Sequence, residues 1–402
     1  MASKNKFLQR LLMISNGAVF QLFNAFSTAI IAYYVIAYHN TLIWGKFASI
    51  WIMISLFTLL FNFGSKDYLV KEYTKSKVIV ASLTSTIMFL RLPLILLCIL
   101  IALIIFPFYQ FKYILPLLLA TFFVNSIQPR LVYEKRFGLL LGMELIALFS
   151  QFIFLIFVKT SIQLNHIIIS FLVYNSIKVI IMISIYRKEI LPQSIEIKFS
   201  FFKPLLPFFL LALGGMMVNK ADFIMVTALL DDSSKAHYHI ISTFSTMGII
   251  AAHAVLQPFM KEIFRINWES FKRIAQKYFG LGIILSLLFV MAVNFVTDIF
   301  FNFHLSKYAL ILLYAIELIF FAYNPIIFLL FRTDRQHHLV FIVIVSGCVT
   351  LFFAWLLVKP YGINGALLSN LIGNTVMFII LWLSKARMNA VLTSPTIDNA
   401  RA

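Results

Sequence analysis

The sequence predicts an all-α integral membrane protein of about twelve transmembrane helices, arranged as two six-helix halves with both ends in the cytoplasm. Three observations predict it. The 402 residues are 62% hydrophobic and 12% charged, with a mean hydropathy of +0.96, whereas a soluble domain is about half apolar and a quarter charged. Twelve apolar runs approach or exceed the roughly 20 residues that cross a bilayer. The connections between these runs alternate between Lys/Arg-rich and Lys/Arg-poor.

The first run, 10–36, is too long for a signal-peptide core and lacks a small-residue cleavage pattern, so it reads as the first span. Its polar residues Asn16, Gln21 and Asn24, with Ser27 and Thr28, follow helical spacing. They have two readings, helix–helix hydrogen bonding or a stripe lining a cavity. Runs 44–63, 78–106, 112–128, 137–158 and 164–186 complete the first half. The fourth span is the weakest, because Pro116 and Pro129 bracket it. Runs 204–230, 237–260, 276–298, 307–331, 338–358 and 362–384 form the second half. The longest connection, RKEILPQSIEIKFSFFK (187–203), divides the two. The expected organisation is a helical bundle over 1–190, a cytoplasmic linker over 191–203, a second bundle over 204–386 and a cytoplasmic tail over 387–402. Gly214 and Gly215, after Pro204 and Pro207, mark span seven for a bend or for close packing.

Of the 33 Lys and Arg residues, 24 fall on one side of this map, 6 on the other and three inside spans. That bias over short connections places the rich side in the cytoplasm. The net charge of +18 therefore reports orientation and contact with anionic headgroups, and no nucleic-acid partner is expected. Cys98 and Cys348 lie within spans and far apart in sequence, which argues against a disulfide framework or a metal site. The two halves look related. At an offset of 199, Asn165, Ser170 and Asn175 fall on Asn364, Ser369 and Asn374; at an offset of 191, Trp44 to Phe47 fall on Lys235 to Tyr238. Six helices per half gives repeats of the same orientation, related by an axis along the membrane normal.

Three segments resemble a known family. Residues 14–73, ISNGAVFQLFNAFSTAIIAYYVIAYHNTLIWGKFASIWIMISLFTLLFNFGSKDYLVKEY, resemble the opening of polysaccharide-exporter flippases. There a polar-spotted helix, a short outer loop ending in Tyr/Trp-Gly, a second helix and a charged cytoplasmic stretch follow in order. VNKADFIMVTALLDDSSKAHYHIISTF (218–244) is similar to the family's second-half opening, although Phe223 stands where Arg is common and Lys220 lies just before. YGINGALLSNLIGN (361–374) resembles the family's Tyr-Gly-Ile-x-Gly-Ala helix start. With about twelve helices in this length, the chain looks most like a Wzx-type O-antigen flippase of the multidrug/oligosaccharidyl-lipid/polysaccharide exporter superfamily. The resemblance implies a multi-pass protein of the bacterial cytoplasmic (inner) membrane. It implies a lipid-linked oligosaccharide substrate, coupling to H⁺ or Na⁺, and work beside other polysaccharide-assembly membrane proteins.

No enzyme constellation is visible. The sequence has no G-x-x-x-x-G-K-[ST] loop, no nucleophile elbow and no metal-ligand spacing, so no catalytic residue, metal or cofactor is expected. The outer connections are about ten residues or fewer, which argues against a membrane glycosyltransferase. Ionisable residues inside spans are costly and usually face a cavity or a partner. Arg91, Lys220 and Lys178 are candidate substrate contacts, because a diphosphate needs cations: Arg binds phosphate bidentately and Lys acts as a point charge. Asp222, Glu317, Glu144 and His253 are candidates for neutralising the empty cavity or for ion coupling. Simpler readings stand beside these: Lys178 snorkelling to the interface, Glu144 pairing with a loop cation, and His253 packed as a hydrogen-bonded histidine. Lys220 and Asp222 are two apart on one helix, so each needs its own partner. The competing function is an ion-coupled exporter of small cationic molecules on the same fold.

Overall fold

The computed structural model describes residues 19–20, 22–23, 26–73, 80–158, 162–190, 202–256, 268–332 and 336–392. The described residues form helices joined by short turns. In chain order they are α1 (Phe26–Tyr38), α2 (Thr41–Asn62), α3 (Ser65–Tyr73), α4 (Val80–Leu90), α5 (Leu92–Ile105), α6 (Phe108–Tyr133), α7 (Phe137–Phe157), α8 (Leu164–Ile190), α9 (Phe202–Leu229), α10 (Asp232–Leu256), α11 (Trp268–Phe301), α12 (Lys307–Arg332) and α13 (Gln336–Leu392). Among the described residues, nine helical runs are long and apolar enough to cross a membrane. α10 is not one of them, because its histidines and hydroxyl residues lower its hydropathy. Their outward faces carry exposed apolar side chains such as Leu96, Leu100 and Ile104 on α5 and Leu287, Met291 and Phe295 on α11, the surface that lipid would cover.

Four departures from the expected spans have local causes. The third span is two helices, because Pro93 cannot donate to the turn before it and its ring crowds that turn. Arg91 sits at the break, with its N–H bonded to the Met88 carbonyl at 3.2 Å. The fourth span is longer than the two prolines allowed: α6 runs through both Pro116 and Pro129, as membrane helices tolerate when neighbours satisfy the freed carbonyls. The basic connection after α2 contains a helix of its own, α3, with Asp67 in its first turn and Lys71 in its last, each favourable to the helix dipole. Spans eleven and twelve are the two arms of α13. At 57 residues a straight helix would be roughly 85 Å long; instead the backbone breaks at Gly362 (φ 57, ψ −134). The arms lie against each other: His338 hydrogen-bonds Ser384 at 2.9 Å. A side chain at Gly365 would meet the Leu357 carbonyl oxygen at 2.0 Å.

The chain divides into two compact units. One comprises Val19–Leu213, the other Gly214 onward. The boundary falls within α9, while residues 191–201 of the expected linker lie outside the described residues. In the first unit α8 packs against α6 and α7, and α2 against α5 and α6; in the second, α12 packs against α11 and α13. α9 continues through Gly214 and Gly215. Gly214 serves close packing: a Cβ there would lie 2.8 Å from Val343 Cγ1, whereas nothing lies within 4 Å of Gly215.

Candidate functional site

The second unit gathers its polar side chains around α10. Asp222, on α9, is 3% exposed. Its Oδ1 accepts from the Phe223 N–H at 2.8 Å. Its Oδ2 accepts from Asn370 Nδ2 at 2.9 Å and from the Tyr238 hydroxyl. Asn370 is itself held from α13: Asn374 Nδ2 donates to its Oδ1 at 2.8 Å, and the Tyr323 hydroxyl donates to Asn374 Oδ1 at 2.9 Å. Three hydrogen-bond donors are thus aimed at the Asp222 carboxyl, and such bonds favour its charged form. Lys220, two residues earlier, points elsewhere, as the helical spacing requires. Its Nζ donates to Ser242 Oγ at 2.8 Å and to Thr246 Oγ1 at 3.2 Å.

Between these groups lies a cavity of about 20 Å³ whose walls include Asn219, Asp222, Ser242, Ser245, Thr246 and Asn370. That is the size of a water site, far below the roughly 300 Å³ that a small-molecule pocket needs. Ser245, in the same wall, donates through Oγ to Glu317 Oε1 at 3.0 Å. Gly248 leaves the room for that carboxyl, since a Cβ there would lie 2.6 Å from Oε2. The hydroxyls of α10 thus reach Lys220 through Ser242 and Thr246 and Glu317 through Ser245. His253 packs edge-on against Phe320, ring centroids 5.1 Å apart. Asn324 donates to Tyr278 at 3.0 Å.

The first unit arranges its charges differently. Lys178 and Glu144 pair with each other, Nζ to Oε1 at 2.5 Å, with side chains 6% and 3% exposed. Lys178 does not snorkel and Glu144 does not reach a loop cation. The Tyr174 hydroxyl donates to Glu144 Oε2, and the Lys178 ammonium sits 4.0 Å from the centre of the Tyr174 ring. Arg91 is fully buried and ties the helix break together. Nε caps the Ile87 carbonyl at 3.2 Å, Nη1 reaches Asn62 Oδ1 at 3.1 Å and Nη2 reaches Ser126 Oγ at 2.6 Å. The guanidinium also faces the Phe122 ring at 5.1 Å. Its named acceptors are all neutral and lie on α2, α4 and α6.

The structure therefore brings Lys220, Asp222 and Glu317 around one helix, pairs Lys178 with Glu144, and leaves Arg91 with its own set of neutral partners. Asn16, Gln21 and Asn24 lie outside the described residues. Sequence reading did not single out Tyr238, Ser242, Thr246, Asn370 or Tyr174 as partners. Neutral polar residues raise no alarm in a hydropathy count. A signal was available in Asn370 and Asn374, one turn apart inside an apolar run, and in the run of hydroxyl residues on α10.

No protein-family model and no curated protein sequence matches the chain. Solved structures match in fold. An inward-facing multidrug resistance transporter of the MATE family, within the MOP superfamily, superposes with a TM-score of 0.66 at 12% identity, over 94% of this chain and 96% of that one. The lipid II flippase MurJ in an inward closed conformation gives 0.65 at 12% identity, over 95% and 90%. A MOP superfamily transporter from Pyrococcus furiosus with a binding pocket of reversed polarity gives 0.53 at 12% identity, over 95% and 96%. At such identities the likeness is one of fold, and the chain has the fold of these transporters.

Proposed function

We propose that this chain is a flippase. It carries a polyprenyl diphosphate bearing a short, O-antigen-like sugar repeat from the cytoplasmic to the outer leaflet of a bacterial inner membrane, by alternating access of its two units. The observation that carries this reading is Lys220. An ammonium inside an apolar span is expensive, and here it is held by two hydroxyls rather than by a carboxylate. An ammonium has three donors, so one remains for an anionic headgroup. Asp222 and Glu317 supply the balancing charge when cargo is absent, or take up a coupling H⁺ or Na⁺. Lys178 is held by Glu144 in this state, and Arg91 reaches cargo only if its contacts to Asn62 and Ser126 open. The cavity beside Asp222 is too small for cargo, so this conformation is read as closed to it.

The reading is tested in the host cell. Deleting the gene should deplete surface polysaccharide and accumulate lipid-linked repeats on the cytoplasmic face. Lys220→Ala should reproduce that loss, and Lys220→Arg should restore part of it. Normal surface glycan with no accumulated intermediate would sink the proposal. A second reading, an ion-coupled exporter of small cations, draws on the two carboxyls against one ammonium in the second unit. It predicts drug sensitivity on deletion with unchanged surface glycan.

A further inference from the structure

A second cavity lies wholly within the first unit, where α2, α6 and α8 begin. It measures about 360 Å³ and is lined by Ile43, Lys46, Tyr109, Gln110, Gln163, Leu164 and Asn165. That volume is in the range of small-molecule sites, roughly 300–1,000 Å³. We propose that this cleft binds an acidic saccharide, a sugar unit carrying a carboxylate or phosphate, through Lys46 and the Gln110, Gln163 and Asn165 amides. The proposal deepens the flippase reading by naming the chemistry of the glycan, and it concerns the end that the charge count assigns to the outer face.

Two features of the lining point to that ligand. The first is charge. Lys46 is an exposed lining cation, and no acidic residue occupies the first turn of α2, α6 or α8. α6 also opens at Pro107 without a side-chain cap. An anion is therefore favoured, with no built-in carboxylate to compete for the cation. The second is an unfilled acceptor. Asn165 Oδ1 is buried and has no hydrogen-bond partner. A sulfate or a phosphodiester has only acceptors to offer and leaves this atom unsatisfied, whereas a sugar hydroxyl donates to it. The Gln110 and Gln163 amides add donors and acceptors of the kind that hydroxyl pairs use. The Tyr109 ring, 57% exposed, offers an apolar face at the rim.

The test is equilibrium binding to the purified full chain in nanodiscs of zwitterionic lipid. The probes are a digalacturonic acid and its neutral methyl ester. The acidic sugar should bind at least about tenfold more tightly than the ester. Lys46→Gln should remove most of that difference while leaving ester binding unchanged, and Asn165→Ala should weaken both. Lys46 is exposed, so its variant should keep the thermal unfolding midpoint of the parent. Equal binding of the two sugars, no binding of either, or indifference to both substitutions overturns the proposal. Loss of acidic-sugar binding in phosphatidylglycerol nanodiscs would assign the cleft to a lipid headgroup and overturn it as well. Lys220→Ala should leave this binding intact, so a failure of transport and a failure of the cleft are separable.

Discussion

The two halves of the molecule treat a buried carboxyl and ammonium in opposite ways. In the first unit Glu144 and Lys178 neutralise each other and are closed off beneath Tyr174. In the second, Asp222 and Lys220 each bind neutral groups, and a water-sized cavity lies between the elements that hold them. The sequence offsets show where the difference arises. Ser170 and Ser369, 199 apart, make the same bond to the carbonyl three residues back, at 2.8 and 2.7 Å. Asn175 and Asn374 likewise bond four residues back, at 2.9 and 3.0 Å. Yet Phe171, the position matching Asn370, stacks on Phe47, the position matching Tyr238, with ring centroids 4.9 Å apart. One half fills this place with two aromatic rings; the other fills it with the two side chains that hold Asp222. A similar helical frame thus serves as a packed wall in one unit and as a polar site in the other.

The largest effect is expected at the Lys178–Glu144 ion pair. Lys178→Met alone should strand a buried Glu144 and lower stability by about 3–5 kcal/mol, measured by thermal unfolding of the purified chain. Combining it with Glu144→Gln should recover most of the loss. If the single substitution is silent, the pair is not closed. In the second unit Asp222→Asn keeps the shape but removes charge-assisted hydrogen bonds, at a cost of about 1.5–3 kcal/mol. If the chain is the flippase proposed above, export should fail even where protein levels are normal; active Asp222→Asn protein would remove that carboxyl from the proposed mechanism.

A smaller effect is expected from exchanging the matched positions. Phe47→Tyr places a hydroxyl within the aromatic stack of the first unit and should destabilise by about 1–3 kcal/mol, with no effect on export selectivity. Smaller still is the serine pair. Ser170→Ala and Ser369→Ala each lose one local bond, about 0.5–1.5 kcal/mol. The first should cost more, because Ser170 Oγ also accepts from Gln151 Nε2 at 3.2 Å. Equal losses would mean that the Gln151 contact contributes nothing.

The least effect lies in the turn after α6. Burial works against ionisation of Glu134, but the Tyr186 hydroxyl, the Arg130 hydrogen bond and the charges of Arg130 and Arg136 hold its carboxyl below the ordinary value. A depressed carboxylate stabilises the fold above its unfolded value, and that stability is lost as pH falls through the folded one. Glu134→Gln should therefore flatten the acid limb of the stability profile by under about 1 kcal/mol, read from unfolding midpoints across acid pH.

Much of the fold was legible because a bilayer imposes one length and one polarity on every crossing element. Residues such as Ile95, Val218 or Leu312 needed only to be counted. The hairpin of α13 was also legible, as spans eleven and twelve, although its helix runs on to Gly362. What escaped was local geometry set by single residues: the break at Arg91 and Pro93, and the helix α3 inside a stretch that looked like a loop. The charged residues of the site stood out in the sequence because each violates the apolar pattern. Their neutral partners did not, since a Tyr, Ser or Asn in a membrane helix is ordinary.

The sequence by itself determined that the chain is built of long apolar helices, where most of them run, and which ionisable groups lie inside them. Those follow from composition along the chain. Only the tertiary structure decided which of those groups meet. Lys178 finds Glu144 across 34 residues, and Asn370 finds Asp222 across 148. Such pairings depend on how helices pack, which side chains face inward and where a proline turns the backbone. The physical reason is that burial cost is a property of each residue, whereas its relief is a property of two.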